Sequence, residues 1–267
     1  SRLKISQRRK EGIVMATDAT LAALKNPDPV YQAKLDLLAA LRWAETEGLA
    51  EGICNHFSVL VPGTTDQFLL NPQGLHWSEL TMSDLLIVDA EGNLLEGKHE
   101  AEPTAFFIHS RLHLAKPAAR CVMHTHMPYA TAISCSERGR VEWCSQNALR
   151  YYGRIGYDDS YHGLALDDAE GDRMGSLVRD NDILFLANHG VVVTANSVAV
   201  AFDDLYYLER ACMIQVLAES RGQPLKMIPA ELCLETHRQI VEETDQSYLH
   251  MDAIKRILLT RHPEILA

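Results

Sequence analysis

His124 and His126 stand two positions apart at the end of the apolar run Cys121-Val122-Met123. Residues at i and i+2 of a strand point to the same side, so a strand ending here aims both imidazoles at one point. Neutral imidazole is a good ligand for zinc and for other first-row divalent ions. His189 is the third candidate: it follows the apolar stretch 183–187 and precedes Gly190, where the chain can turn tightly. Three neutral imidazoles with an open fourth position make a catalytic zinc-type site. The competing reading is three histidines hydrogen-bonded inside a core.

A rival pair, His109 and His113, lies four apart on one face of a predicted helix. The metalloprotease pattern H-E-x-x-H needs Glu after the first histidine, and this chain has Ser110. The two are therefore read as helix-face residues, or as residues standing behind the ligands.

The elements that must position these groups follow from periodicity and punctuation. Residues 28–48 carry Leu35, Leu37, Leu38, Leu41 and Ala44 at helical spacing. Residues 55–74 read as a strand, a Pro-Gly turn, a second strand and a tight Pro-Gln-Gly turn, and 83–97 repeat the hairpin pattern around Glu91-Gly92-Asn93. Pro103 opens a helix to about Ala115. A strand ends in the His-x-His, a helix begins at Pro128, and two short strands flank Asn188-His189-Gly190. A long helix covers 197–220, and 229–267 form a helical tail. This irregular alternation favours one α/β domain, 28–267, with a mostly antiparallel sheet.

A 267-residue chain can bury a substantial core, and its formal charge of −11 argues against nucleic acid or an anionic membrane as partner. No apolar run approaches the roughly 20 residues that span a bilayer. The basic start, within residues 1–27, lacks the apolar segment of a secretory signal and is expected to be a flexible extension, with an amphipathic targeting arm as the alternative. The six cysteines form no C-x-x-C pair and sit mostly in apolar surroundings, which suits a reducing, cytoplasmic location.

Five motifs occur in order: Asn55-His56-Phe57-Ser58, Asn71-Pro72-Gln73-Gly74, the helix from Glu102 to His113, His124-Thr125-His126 and Asn188-His189-Gly190. On these the chain resembles the class II aldolase/adducin family over residues 31–220. The resemblance implies a three-layer α/β/α single domain around a mostly antiparallel central sheet. It also implies a divalent metal, zinc first and manganese or iron next, held by His124, His126 and His189. Family members are usually homo-oligomers, often tetramers, and the 206–217 helix face and the tail offer surface for such contacts.

Two departures bear on chemistry. Sugar-phosphate aldolases of the family carry Ser-Ser-Glu on the helix before His-x-His, and the ungapped counterparts here are Pro103, Thr104 and Ala105. The acid/base carboxylate is missing from its place. Glu102, nearly a turn earlier, is either its substitute or simply a first-turn glutamate favoured by the helix dipole. The phosphate cradle is altered too: bulky, partly cationic His56 and the Gln73-Gly74 turn suit a carboxylate or an aromatic hydroxyl at least as well as a phosphate. His162 lies in a stretch that approaches a neighbour's active site in the family, and is either a proton donor or a surface-loop residue.

The resulting expectation is a metal-dependent, aldolase-like lyase that cleaves a carbon–carbon bond, by aldol cleavage or decarboxylation, in a small hydroxy or oxo acid. A non-enzymatic adducin-like module and a three-histidine iron oxygenase are the alternatives.

Overall fold

The computed structural model describes residues 18–164, 168–243 and 245–267. Its elements run α1 (Asp18–Leu24), α2 (Pro29–Thr46), β1 (His56–Leu60), β2 (Gln67–Leu70), β3 (Leu86–Asp89), β4 (Leu94–Glu96), α3 (Pro103–Ala115), β5 (Cys121–Thr125), α4 (Pro128–Ser134) and α5 (Gln146–Leu149). They continue with β6 (Ile155–Asp158), α6 (Asp168–Val178), β7 (Ile183–Leu186), β8 (Gly190–Ala195), α7 (Val198–Glu219), α8 (Ala230–Glu242) and α9 (Asp245–Arg261).

The strands form one eight-stranded sheet in the order β4-β3-β2-β1-β5-β8-β7-β6. Every adjacent pair is antiparallel except β6–β7. Alternation along the central strands divides their side chains between two layers. Phe57, Val59, Cys121, Met123, Val191 and Val193 join the larger core against α2, α4, α7 and α9. Val122, Leu184, Leu186 and Val192 face the other way, with Ile108 and Leu112 of α3 and Met174 and Val178 of α6. The three-layer α/β/α domain expected from the family resemblance is what the chain forms.

The periodic signals have clear physical outcomes. Asp28 caps α2 by accepting from Val30 N at 2.9 Å, Pro29 occupies its first turn, and Leu35, Leu37, Leu38 and Leu41 are wholly buried. Burial of each such leucine stabilises the fold by about 1.5–3 kcal/mol. One boundary differs from expectation. Residues 1–17 lie outside the described part, but Asp18–Leu24, placed by sequence in the flexible extension, form a helix. Ala23 enters the main core and Thr20 Oγ1 donates to Leu259 O at 3.3 Å, which fixes α1 against α9.

No helix among the described residues is long and apolar enough to cross a membrane. All six cysteines are free thiols.

Candidate metal centre

The three histidines named from sequence come together. One ligand atom from each of His124, His126 and His189 lies within 4.8 Å of the others. The ring centroids of His189 are 4.8 Å from those of His124 and 4.7 Å from those of His126. His124 is buried on β5, while His126 and His189 are partly exposed, so the group has a closed side and an open one.

Hydrogen bonding decides what the nitrogens present. His124 Nδ1 donates to Val191 O at 3.0 Å, because a carbonyl only accepts. His126 Nδ1 donates to the Glu51 carboxylate at 2.5 Å. Both Nε2 atoms are thereby turned inward, 3.1 Å apart. Burial and the neighbouring imidazoles hold His124 well below the ordinary histidine range, and burial pushes His189 down to about 4. Two bare nitrogens this close repel each other unless a proton or a metal ion lies between them. Two ligands at the usual zinc–nitrogen distance of about 2.0–2.1 Å are separated by roughly 3.3 Å at a tetrahedral angle, so the spacing fits a metal ion. The outward bonds to Val191 and Glu51 are the orienting contacts that metal-binding histidines ordinarily make.

Backbone geometry delivers His189. Asn188 adopts φ 57°, a left-handed conformation that asparagine tolerates better than most residues, and its N–H donates to Ser134 O at 3.1 Å. At Gly190 a Cβ would stand 2.4 Å from Thr125 O and 3.0 Å from the His126 ring. Only glycine lets β8 pass that close to the end of β5. Asn55, buried, accepts from Glu51 N at 2.8 Å and His126 N at 3.4 Å, tying the loop before β1 to the ligand.

Beneath this cluster, on the α3 side of the sheet, lies a second polar group. His56 pairs opposite His124 across β1 and β5, with ring centroids 5.0 Å apart. His56 Nδ1 lies 2.7 Å from His109 Nε2, and His109 Nδ1 lies 2.6 Å from Ser58 Oγ. Ser58 Oγ is 2.8 Å from His113 Nε2, and His113 Nδ1 is 2.8 Å from Ala119 O. His109 and His113 thus lie at hydrogen-bonding distance from His56 and Ser58, and their bonds run to those two residues and Ala119. Burial pushes His56 and His113 down to about 4 and His109 well below its ordinary value. His56 is therefore neutral rather than partly cationic, which removes the electrostatic reason for expecting it to bind a carboxylate.

The remaining predicted residues are spread around the centre. Glu102 is half-buried at the start of α3, and its charge acts on His56 against the effect of burial. Gln73 and Gly74 are exposed in a turn, with Gly74 at φ 82°. That turn is rooted at Asn71, which accepts from Phe57 N at 2.9 Å, while Gln73 N donates to Glu100 O at 2.9 Å. His162 lines a hollow with His189, Glu170 and Arg173, its Nε2 3.8 Å from Asp158 Oδ1. A separate hollow, lined by Lys116, Arg150, Arg154, Asp182 and Asp204, contains charges paired with one another.

Sequence reasoning missed Glu51, which lies in an irregular loop with no periodicity to flag it, and it named Asn55 only as part of a motif, without its bond to His126. It also missed the role of Ser58, although Ser58 sits two residues from His56 on a strand, the same signal that identified His126.

The family model described as Class II Aldolase and Adducin N-terminal domain matches residues 35–216. An aldolase class 2 protein of Pseudomonas aeruginosa, so described by its provisional name, is 36% identical over 76% of this chain and 77% of its own. Decarboxylase NovR of Streptomyces niveus is 30% identical over 71% of this chain and 70% of its own. The crystal structure of an aldolase II superfamily protein from Pseudomonas syringae superposes with a TM-score of 0.84 at 30% identity, covering 91% of this chain and 98% of that one.

Proposed function

The chain belongs to the class II aldolase and adducin family, and from that premise we propose that it is a divalent-metal-dependent lyase that breaks a carbon–carbon bond in a small hydroxy or oxo acid. The observation that carries this reading is the convergence of His124, His126 and His189 with their orienting bonds in place. These three would hold the metal, zinc first and manganese or iron next. Such an ion supplies Lewis-acid polarisation of a carbonyl and stabilises the negative charge left when the neighbouring bond breaks.

The chain's own residues divide the other tasks. We assign the transfer of a proton to or from substrate to Glu102, whose charge acts on His56, and to His162, in the hollow with His189. His56 and the Gln73-Gly74 turn orient the rest of the substrate. Absence of the aldolase glutamate at position 105 favours an acid over a sugar phosphate, and kinship to a protein named as a decarboxylase supports the same direction. The complete triad supports this reading over a purely structural adducin-like module. As in other family members, we place the active form in a homo-oligomer, a tetramer by preference, using exposed Leu217, Leu232, Leu234 and Leu249. We place it in the cytoplasm.

The test is a panel of hydroxy acids, oxo acids and sugar phosphates, assayed on metal-loaded protein with and without dioxygen. Turnover of an acid without dioxygen is expected. A rate that vanishes without dioxygen replaces the lyase by an iron oxygenase. Efficient cleavage of a sugar phosphate overturns the substrate class, and no metal uptake at all favours the module.

A further inference from the structure

The polar chain beneath the site can run in only one direction, and we propose that it fixes His56 as a hydrogen-bond acceptor for a substrate hydroxyl. This rests on reading the adjoining triad as a substrate site. The direction is set at the far end, where Ala119 O can only accept, so His113 Nδ1 carries the proton of that 2.8 Å bond. Neutral His113 then has a bare Nε2, which accepts from the Ser58 hydroxyl at 2.8 Å. The hydroxyl has one proton and has used it. Its oxygen must accept from His109 Nδ1–H at 2.6 Å. Neutral His109 is left with a bare Nε2, which accepts from His56 Nδ1–H at 2.7 Å. His56 therefore keeps its lone pair on Nε2, in a ring that stands beside His124.

Neutrality of all three rings follows from their surroundings. His56, His109, His113 and Ser58 are at most 7% exposed. Each bond along the chain joins an imidazole to a neutral partner, and an unpaired charge in so dry a setting is costly. A bare imidazole nitrogen attracts an O–H and repels an ionised carboxylate or phosphate oxygen, which meets it lone pair to lone pair. The substrate group at His56 is accordingly an alcohol or phenol, and its anionic group binds elsewhere. His109, Ser58 and His113 touch no substrate and act as positioning residues that set the tautomer. Sites built to bond a hydroxyl reject analogues lacking it by up to about 10⁴–10⁵-fold.

The experiment is two-bond ¹H–¹⁵N NMR on the full chain labelled at histidine, zinc-free and zinc-loaded, near neutral pH. His56, His109 and His113 are expected to show protonated Nδ1 and bare Nε2. A proton on His56 Nε2 overturns the proposal. Ser58→Ala cuts the relay, so His109 no longer needs to donate from Nδ1 and His56 gains an Nε2–H population, while zinc content stays unchanged. A folded Ser58→Ala protein with an unaltered His56 pattern overturns the positioning role, and the wild-type spectrum remains decisive if that variant does not fold. For the ligand class, the zinc-loaded protein is titrated with lactate and with propionate, which differ by one hydroxyl. Lactate is expected to shift His56 Nε2 at a concentration at least tenfold lower, and an equal response or none overturns the hydroxyl assignment. A protein with these tautomers and this preference that cleaves no acid loses the lyase reading and keeps this one.

Discussion

Two groups of three histidines lie almost in contact, and they are wired in opposite ways. In the triad, the outward nitrogens of His124 and His126 are anchored to Val191 and Glu51, and their inward nitrogens converge. In the relay, His56, His109 and His113 satisfy one another head to tail through Ser58. Residue type is the same, although the relay is buried throughout and the triad has an open side. The partner of each nitrogen decides whether a histidine gathers a cation or passes on a tautomer.

The sharpest break between the groups is metal content. His124→Ala combined with His126→Ala is expected to lose the ion completely while retaining the fold, whereas Ser58→Ala retains full occupancy. Elemental analysis after gel filtration reads both, and stoichiometric metal in the double variant would sink the assignment. The relay should show its importance in stability instead. His109→Ala leaves Ser58 and His56 short of a buried partner and opens a cavity, so it should cost about 3 kcal/mol in urea unfolding. A loss below about 1 kcal/mol would mean that the relay bonds contribute little.

Acid should act on the relay in a defined direction. The unfolded chain protonates His113 near the ordinary value of 6.5, whereas the native ring resists until about 4. Between those values the unfolded state binds more protons, so stability rises with pH and falls on acidification. From pH 7 to pH 4.5 His113 alone should account for about 2–3 kcal/mol. The measurement is the difference in slope between zinc-free wild type and His113→Gln; parallel profiles contradict it. The smallest effect belongs to the outer support of the triad. Glu51→Gln keeps a hydrogen-bond acceptor but removes the charge behind His126, and should weaken zinc binding by about 10–100-fold in a chelator competition. Unchanged affinity would assign Glu51 to the surface alone.

Much of this was legible in the sequence, for identifiable reasons. Strand period placed His124 and His126 on one side, and helical period with Pro103 gave α3 its observed limits, Pro103–Ala115. Short, weakly patterned elements were not legible. Strand β6 is only half-buried along its length, so its alternation carries no signal, and α6 contains Gly171 and Gly175, both poor helix formers. The relay was half-visible. His109 and His113 share a face by spacing, but only the register that sets β1 beside β5, and the packing of α3 across both, reveals which strand residues they meet.

Gly190 has a consequence for how this centre tolerates change. The space denied to a Cβ there is occupied by Thr125 O, a backbone atom that no side-chain replacement elsewhere can shrink. A substitution at 190 must therefore push two strands apart, and it does so between the ligands His126 and His189. In a library that randomises the site, the position least free to vary is one that contributes no functional group. Designers who wish to alter the metal preference should vary the three imidazoles and leave that gap alone.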